Sequence, residues 1–159
     1  MKKIEELNCG FTQGDKWFRL RAAAVIIKDG CVLAAKNDAH SYYYSVGGGV
    51  HHGETTEEAA AREAFEETGV KYEVDRLLFI HENYFKENSL DCHELTFYYL
   101  MKPNDTAEFH AISYIEGDVL EHMEWLPIKN YSDYEAYPIF FADYLKNLPT
   151  APVRIVSKE

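Results

Sequence analysis

Apolar and polar positions along the chain fall into blocks of different period. Residues 18–27 (FRLRAAAVII), the turn Lys28-Asp29-Gly30 and residues 31–35 (CVLAA) have the form of strand, tight turn and strand. Residues 40–46 (HSYYYSV) are rich in β-formers and run straight into Gly47, Gly48 and Gly49. Residues 72–85 and 94–101 predict long strands, which the polar stretch KENSLDC joins into an antiparallel hairpin, and residues 122–126 (HMEWL) predict a further strand. After Pro138, residues 134–148 carry Ile139, Phe140, Ala142, Tyr144 and Leu145 at roughly helical spacing, which predicts a closing helix that Pro149 stops. Residues 1–15 read as an arm or short edge strand, and residues 149–159 as a tail.

A second period appears between the glycines and Val70. Thr55 and Glu58 have capping-box spacing, Ala59, Ala60 and Ala61 favour helix, and Gly69 suits a left-handed C-terminus, so a helix is expected over about residues 56–68. Spacings of three and four residues bring Glu63, Glu66 and Glu67 onto one face, while Ala60, Ala61, Ala64 and Phe65 form a neighbouring face for the core. From Glu54 to Glu67 there are six glutamates and one cation, Arg62, which Glu58 can pair at i+4. A hard dication would relieve that repulsion; Mg²⁺ suits carboxylate oxygens, with Mn²⁺ as a substitute. A solvated acidic face is the bland alternative. The preceding glycines allow close backbone approach, and the helix N-terminus favours anions.

Gly48, Glu54, Arg62, Glu63, Ala64, Glu66, Glu67, Gly69 and Val70 fill every specified place of G-x5-E-x7-R-E-U-x-E-E-x-G-U, where U is aliphatic. In this the chain resembles the Nudix hydrolases, of the MutT-like kind. Val46 stands where members often have proline, and His51 where they often have an acid; both lie outside the signature. The resemblance implies an α/β (α+β) fold, the αβα sandwich with a mixed sheet between helices, over roughly residues 18–148. It also implies a metal-dependent pyrophosphohydrolase acting on a nucleoside diphosphate linked to another moiety, such as a nucleoside triphosphate or ADP-ribose.

By the same resemblance Glu63, Glu66 and Glu67 ligate Mg²⁺, Glu54 supports them from the loop, and Arg62 orients a carboxylate. Glu66, Glu67 and Arg62 are the candidate catalytic residues, with Glu67 preferred as base or metal ligand. Glu116, Asp118 and Glu121, ahead of Trp125, are alternative bases from a later segment. Gly47, Gly48, Gly49 and Lys36 are expected to face substrate phosphates. A tyrosine among Tyr42, Tyr43 and Tyr44 could stack on a base. His51 and His52 are adjacent and poorly placed to share a metal.

Composition narrows the classes. The chain of 159 residues is expected to form one domain, and a 47% apolar fraction argues against disorder. A net charge of −11 disfavours an electrostatic nucleic-acid binder, including RNA cap removal, and leaves metal to mediate any contact with phosphate. Cys9, Cys31 and Cys92 offer no CxxC pair, which disfavours disulfide or zinc frameworks. No signal-like or membrane-length apolar run is present, so a cytoplasmic protein is expected. A homodimer is left open. A catalytically silent nucleotide sensor is the alternative class, which a missing acid would favour; none is missing.

Overall fold

A computed structural model describes residues 6–105, 114–115 and 119–159. Its strands are β1 (Gly10–Gln13), β2 (Lys16–Val25), β3 (Ile27–Lys28), β4 (Cys31–Asn37) and β5 (Tyr43–Gly49), followed by helix α1 (Thr56–Thr68). Then come β6 (Val74–Glu87), β7 (Leu90–Met101), β8 (Tyr114–Ile115), β9 (Val119–Pro127), a 3₁₀ stretch at Ile128–Asp133, β10 (Ala136–Tyr137), α2 (Phe141–Tyr144) and β11 (Val153–Lys158). The strands form one mixed sheet in the order β11-β6-β7-β2-β5-β4-β9-β8, with β1 on β2, β3 on β4 and β10 on β5. Pairs β11/β6, β2/β7 and β10/β5 are parallel and the others antiparallel.

Side-chain alternation divides the core into two. Ala22, Ala24, Leu33, Val46 and Val50 face α1 and pack on Ala59, Ala60 and Ala64. Ala23, Val25, Val32, Phe79 and Tyr98 face the other way, onto Tyr131, Phe140, Phe141 and Leu145. The sheet therefore lies between helical layers, as the αβα expectation required.

Helix α1 has the expected bounds. Thr55 caps it through the N–H of Glu58, the Glu58 carboxylate returns to the Thr55 N–H, and Gly69 ends it at φ 73°. Two details differ. Glu58, engaged in that cap, does not pair with Arg62. Phe65 is 52% exposed, and Ala59 takes its place in the core, because the buried arc centres on Ala60 and Ala64.

The predicted closing helix is a single turn. Ala136 and Tyr137 instead add a short parallel strand to β5, and Pro138, without an N–H, separates it from α2. The expected tail is partly a strand: Val153 and Ile155 pack against the core while β11 takes the free edge of β6. No helix among the described residues is long and apolar enough to cross a membrane.

Candidate active site

The glycines at the end of β5 make room for the acids of α1. A Cβ at Gly47 would run into the Ala22 carbonyl, and one at Gly48 into the Glu63 carboxylate. Gly47 also has φ 156° and donates its N–H to Glu67 Oε2 at 2.9 Å. Gly49 accepts from Arg62 Nη2 at 3.0 Å through its carbonyl. All three glycines thus seat the carboxylate helix against the strand.

Arg62 is the hub of the exposed half. Its Nη2 and Nε donate to the two oxygens of Glu54 at 2.6 and 3.0 Å, and Nη1 donates to Glu63 at 2.9 Å and Glu66 at 3.2 Å. This fork is a stronger and more directional device than a lysine would provide. Glu54 also accepts the His51 N–H at 2.8 Å, and its pKa is held below the ordinary carboxylate range, chiefly by Arg62. Glu63 moves the other way: burial raises its pKa although Arg62 opposes the shift.

Glu67 forms the buried half, with 6% exposure. Burial, then Glu121, pushes its pKa well above the ordinary value, and Arg21 only partly compensates. Glu121 reaches the same place from β9. Tyr44 donates its hydroxyl to Glu121 Oε2 at 2.6 Å, while Oε1 is buried without a hydrogen-bond partner. Ionised together the two carboxylates repel, so the pair is completed by a proton on one of them or by a cation between them.

The structure therefore brings together Glu54, Arg62, Glu63, Glu66, Glu67 and the three glycines, and adds Glu121 from among the alternative bases. Glu116 and Asp118 lie outside the described residues. Lys36 is not brought to the site. Alternation along β4 turns it to the face opposite α1, where its Nζ lies 5.1 Å from the centre of the Tyr43 ring. Of the tyrosines, Tyr44 touches the acids, whereas Tyr43 turns away and donates to Glu124 at 2.8 Å. His51 stands beside the site, its ring nitrogens 3.6 and 3.8 Å from carboxylate oxygens of Glu6 and Glu54.

Arg21 escaped sequence reasoning. Buried behind the glycine strand, it donates to the Ser45 hydroxyl and carbonyl at 3.0 and 2.8 Å and faces the charges of Glu94, Glu67 and Glu63. The only signal was two arginines in alternation, Arg19 and Arg21, in an otherwise apolar strand.

The model of the NUDIX domain family matches residues 17–146, which include all of these groups. The chain belongs to the NUDIX hydrolase family. Among curated proteins it is similar to a MutT-like protein of Streptomyces ambofaciens, 37% identical over 62 residues. That match covers 39% of this chain and 40% of the relative, so it spans well under half of the curated protein. Among solved structures, the NUDIX fold is shared with the MutT mutator protein of Bacillus halodurans at 14% identity and TM-score 0.64, covering 88% of this chain and 90% of that one. It is shared also with an ADP-ribose pyrophosphatase of Streptococcus suis at 10% identity and TM-score 0.57, covering 87% and 98%.

Among the described residues, no group of three or more His, Cys, Asp or Glu side chains is arranged to hold a metal ion as it stands. Arg62 engages Glu54, Glu63 and Glu66 in that arrangement. The donor chemistry nevertheless fits a hard dication: Glu67 of α1 meets the buried Glu121 of β9, one oxygen of which has no hydrogen-bond partner.

Proposed function

We propose that this NUDIX chain is a Mg²⁺-dependent pyrophosphohydrolase that cleaves a phosphoanhydride bond in a nucleoside diphosphate linked to another moiety. The observation that carries the proposal is the buried Glu67 and Glu121 pair at the signature helix, in which Glu121 Oε1 has no hydrogen-bond partner. Such a pair costs stability unless a proton or a cation joins it, and clustered perturbed carboxylates are a mark of functional sites.

Glu63, Glu66, Glu67 and Glu121 would hold the Mg²⁺, or Mn²⁺ in its place. When bound, the ion would neutralise charge on the diphosphate and lower the pKa of coordinated water. The chain itself supplies positioning. Arg62 holds Glu54, Glu63 and Glu66 in fixed relation, the Gly47 N–H fixes Glu67 through Oε2, and Tyr44 fixes Glu121. Glu67 would accept a proton from the attacking water, a role its raised proton affinity suits. As water adds to phosphorus, the anhydride P–O bond breaks and the bridging oxygen leaves with one phosphate. Substrates of this class include nucleoside triphosphates and ADP-ribose, and the shared fold of the Streptococcus suis protein makes ADP-ribose a reasonable first compound to assay.

The test is Glu66→Gln, at a 52% exposed side chain that can change without disturbing the core. With saturating Mg²⁺, turnover of a nucleotide panel, followed by product mass, is expected to fall by at least ~100-fold while the melting temperature is retained. Full activity in that variant would dismiss the site.

A further inference from the structure

The strand that carries the three glycines lies at a split in the sheet. β4 pairs with β5 at Tyr44 and Ser45, and its earlier residues turn to β3 instead, with Val32 opposite Ile27. In an extended strand the backbone groups of alternate residues point to the same edge. Val50 N–H points to β2, where it donates to Leu20 at 3.0 Å, so Ser45, Gly47 and Gly49 present theirs to the split. Past Ser45 that edge is bonded by side chains rather than by a strand: Gly47 N–H donates to Glu67 Oε2 at 2.9 Å, and the Gly49 carbonyl accepts from Arg62 Nη2 at 3.0 Å.

Arg21 supplies the bond at the first place in this row. It stands opposite Gly49 in the β2/β5 register, on the face away from α1 with Ala23 and Val25, and its guanidinium reaches back along β5. Nη2 donates to the Ser45 carbonyl at 2.8 Å and Nη1 to the Ser45 hydroxyl at 3.0 Å, so one residue is gripped at both its backbone and its side chain. Arg21 and Ser45 are both buried. A guanidinium is costly to bury. Glu94, on the same face, is bound by Arg19 Nε and Nη2 at 2.9 and 2.6 Å and accepts from the Thr96 hydroxyl. The fork of Arg21 is instead directed at β5, two residues ahead of the amide that holds Glu67.

We propose that Arg21 is a positioning residue for the reaction: by gripping Ser45 from behind the sheet it fixes the split edge of β5, and with it the aim of the Gly47 N–H that orients Glu67. Arg62 and Arg21 then hold the carboxylates of α1 from opposite faces of the sheet. The proposal rests on the pyrophosphohydrolase assignment, and deepens it by adding a residue that acts on Glu67 through the backbone.

The experiment pairs steady-state kinetics with backbone hydrogen exchange by NMR on the full chain, comparing wild type with Arg21→Met, Arg21→Lys and Ser45→Ala. Exchange is read without added metal or substrate. Arg21→Met should speed exchange at the Gly47 amide by at least ~10-fold beyond any change in the amides of β6 and β7, which a general loss of stability would move equally. In a nucleotide hydrolysis assay with saturating Mg²⁺, its kcat should fall about 10–100-fold while KM changes less than about 3-fold. Arg21→Lys keeps the charge but not the fork, and should fall between wild type and Arg21→Met in both measurements. Ser45→Ala keeps the backbone carbonyl, and should lose about 2–5-fold in kcat. These two milder variants carry the test where Arg21→Met fails to fold. Gly47 exchange that changes only in step with β6 and β7, or full kcat in both milder variants, would overturn the positioning role and leave the hydrolase assignment standing. A wild type that turns over no nucleotide would overturn the assignment itself, an outcome the exchange data tell apart because they need no substrate.

Discussion

Glu67→Gln should make the metal-free protein more stable and the enzyme inactive. The substitution keeps an oxygen for the Gly47 N–H and removes one charge from a site 6% exposed and facing Glu121. Placing a carboxylate in a protein interior costs several kcal/mol even after relaxation, and Arg21 with the Gly47 N–H offsets only part of this, so a neutral isostere should recover about 1–2 kcal/mol. For a chain of this size that corresponds to roughly 2–8 °C in melting temperature. The sign with pH follows from burial first and Glu121 second, which raise the folded pKa above the ordinary 4.5. The folded state then binds more protons than the unfolded one, so wild-type stability falls as pH rises from 4.5 through the folded value. The variant should escape that loss. Thermal melts in EDTA from pH 4.5 to 8.5 would show the gap opening with pH, and added Mg²⁺ should close it by stabilising the wild type alone. A variant less stable than wild type at pH 8 in EDTA, or a gap that does not vary with pH, would refute the placement of a strained carboxylate there.

The same geometry makes three further predictions. Gly48→Ala should press Glu63 away from its 2.9 Å contact with Arg62 and lower kcat by about 100-fold in a nucleotide hydrolysis assay, with little change in urea midpoint. Tyr44→Phe removes the one donor to Glu121 recorded among the described residues, and should cost about 1.5–3 kcal/mol by urea unfolding. Glu94 has the opposite pH sign from Glu67. Burial alone would raise its pKa, but the Arg19 and Arg21 guanidiniums outweigh burial and lower it below 4.5, so its stabilisation is present above that value and lost as pH falls through the folded one. Acid unfolding followed by circular dichroism should therefore be less steep in Glu94→Gln, which is itself expected to be about 3–5 kcal/mol less stable at pH 7.

Local chemistry determined the parts of this protein that a short stretch of chain can specify alone. Thr55, Glu58 and Gly69 define a helix by hydrogen bonds within a few residues, and its spacing puts Glu63, Glu66 and Glu67 on one face, so α1 was legible before any fold was known, whereas Arg62, expected to pair with Glu58, binds Glu54, Glu63 and Glu66 instead. Apolar and β-forming runs bounded by turn signals similarly gave β2, β4, β6 and β7. Short-range pattern failed where partners are distant. Residues 134–148 have helical spacing, yet the free N–H and C=O groups beside β5 and Pro138 leave room for only one turn of helix. Val153 and Ile155 become a strand because β6 offers an unpaired edge over the core. Lys36 lies near the glycines in sequence but turns away from them, since a side chain's face depends on register with β5 and β9. Tertiary structure alone brought Glu121 to Glu67 across 54 residues of chain (121 − 67), placed Arg21 near Glu67, and folded the arm against β2 beside an open pocket at Glu63. Charges separated that far in sequence acquire proton affinities and ligands only through burial and contact, which no local period records.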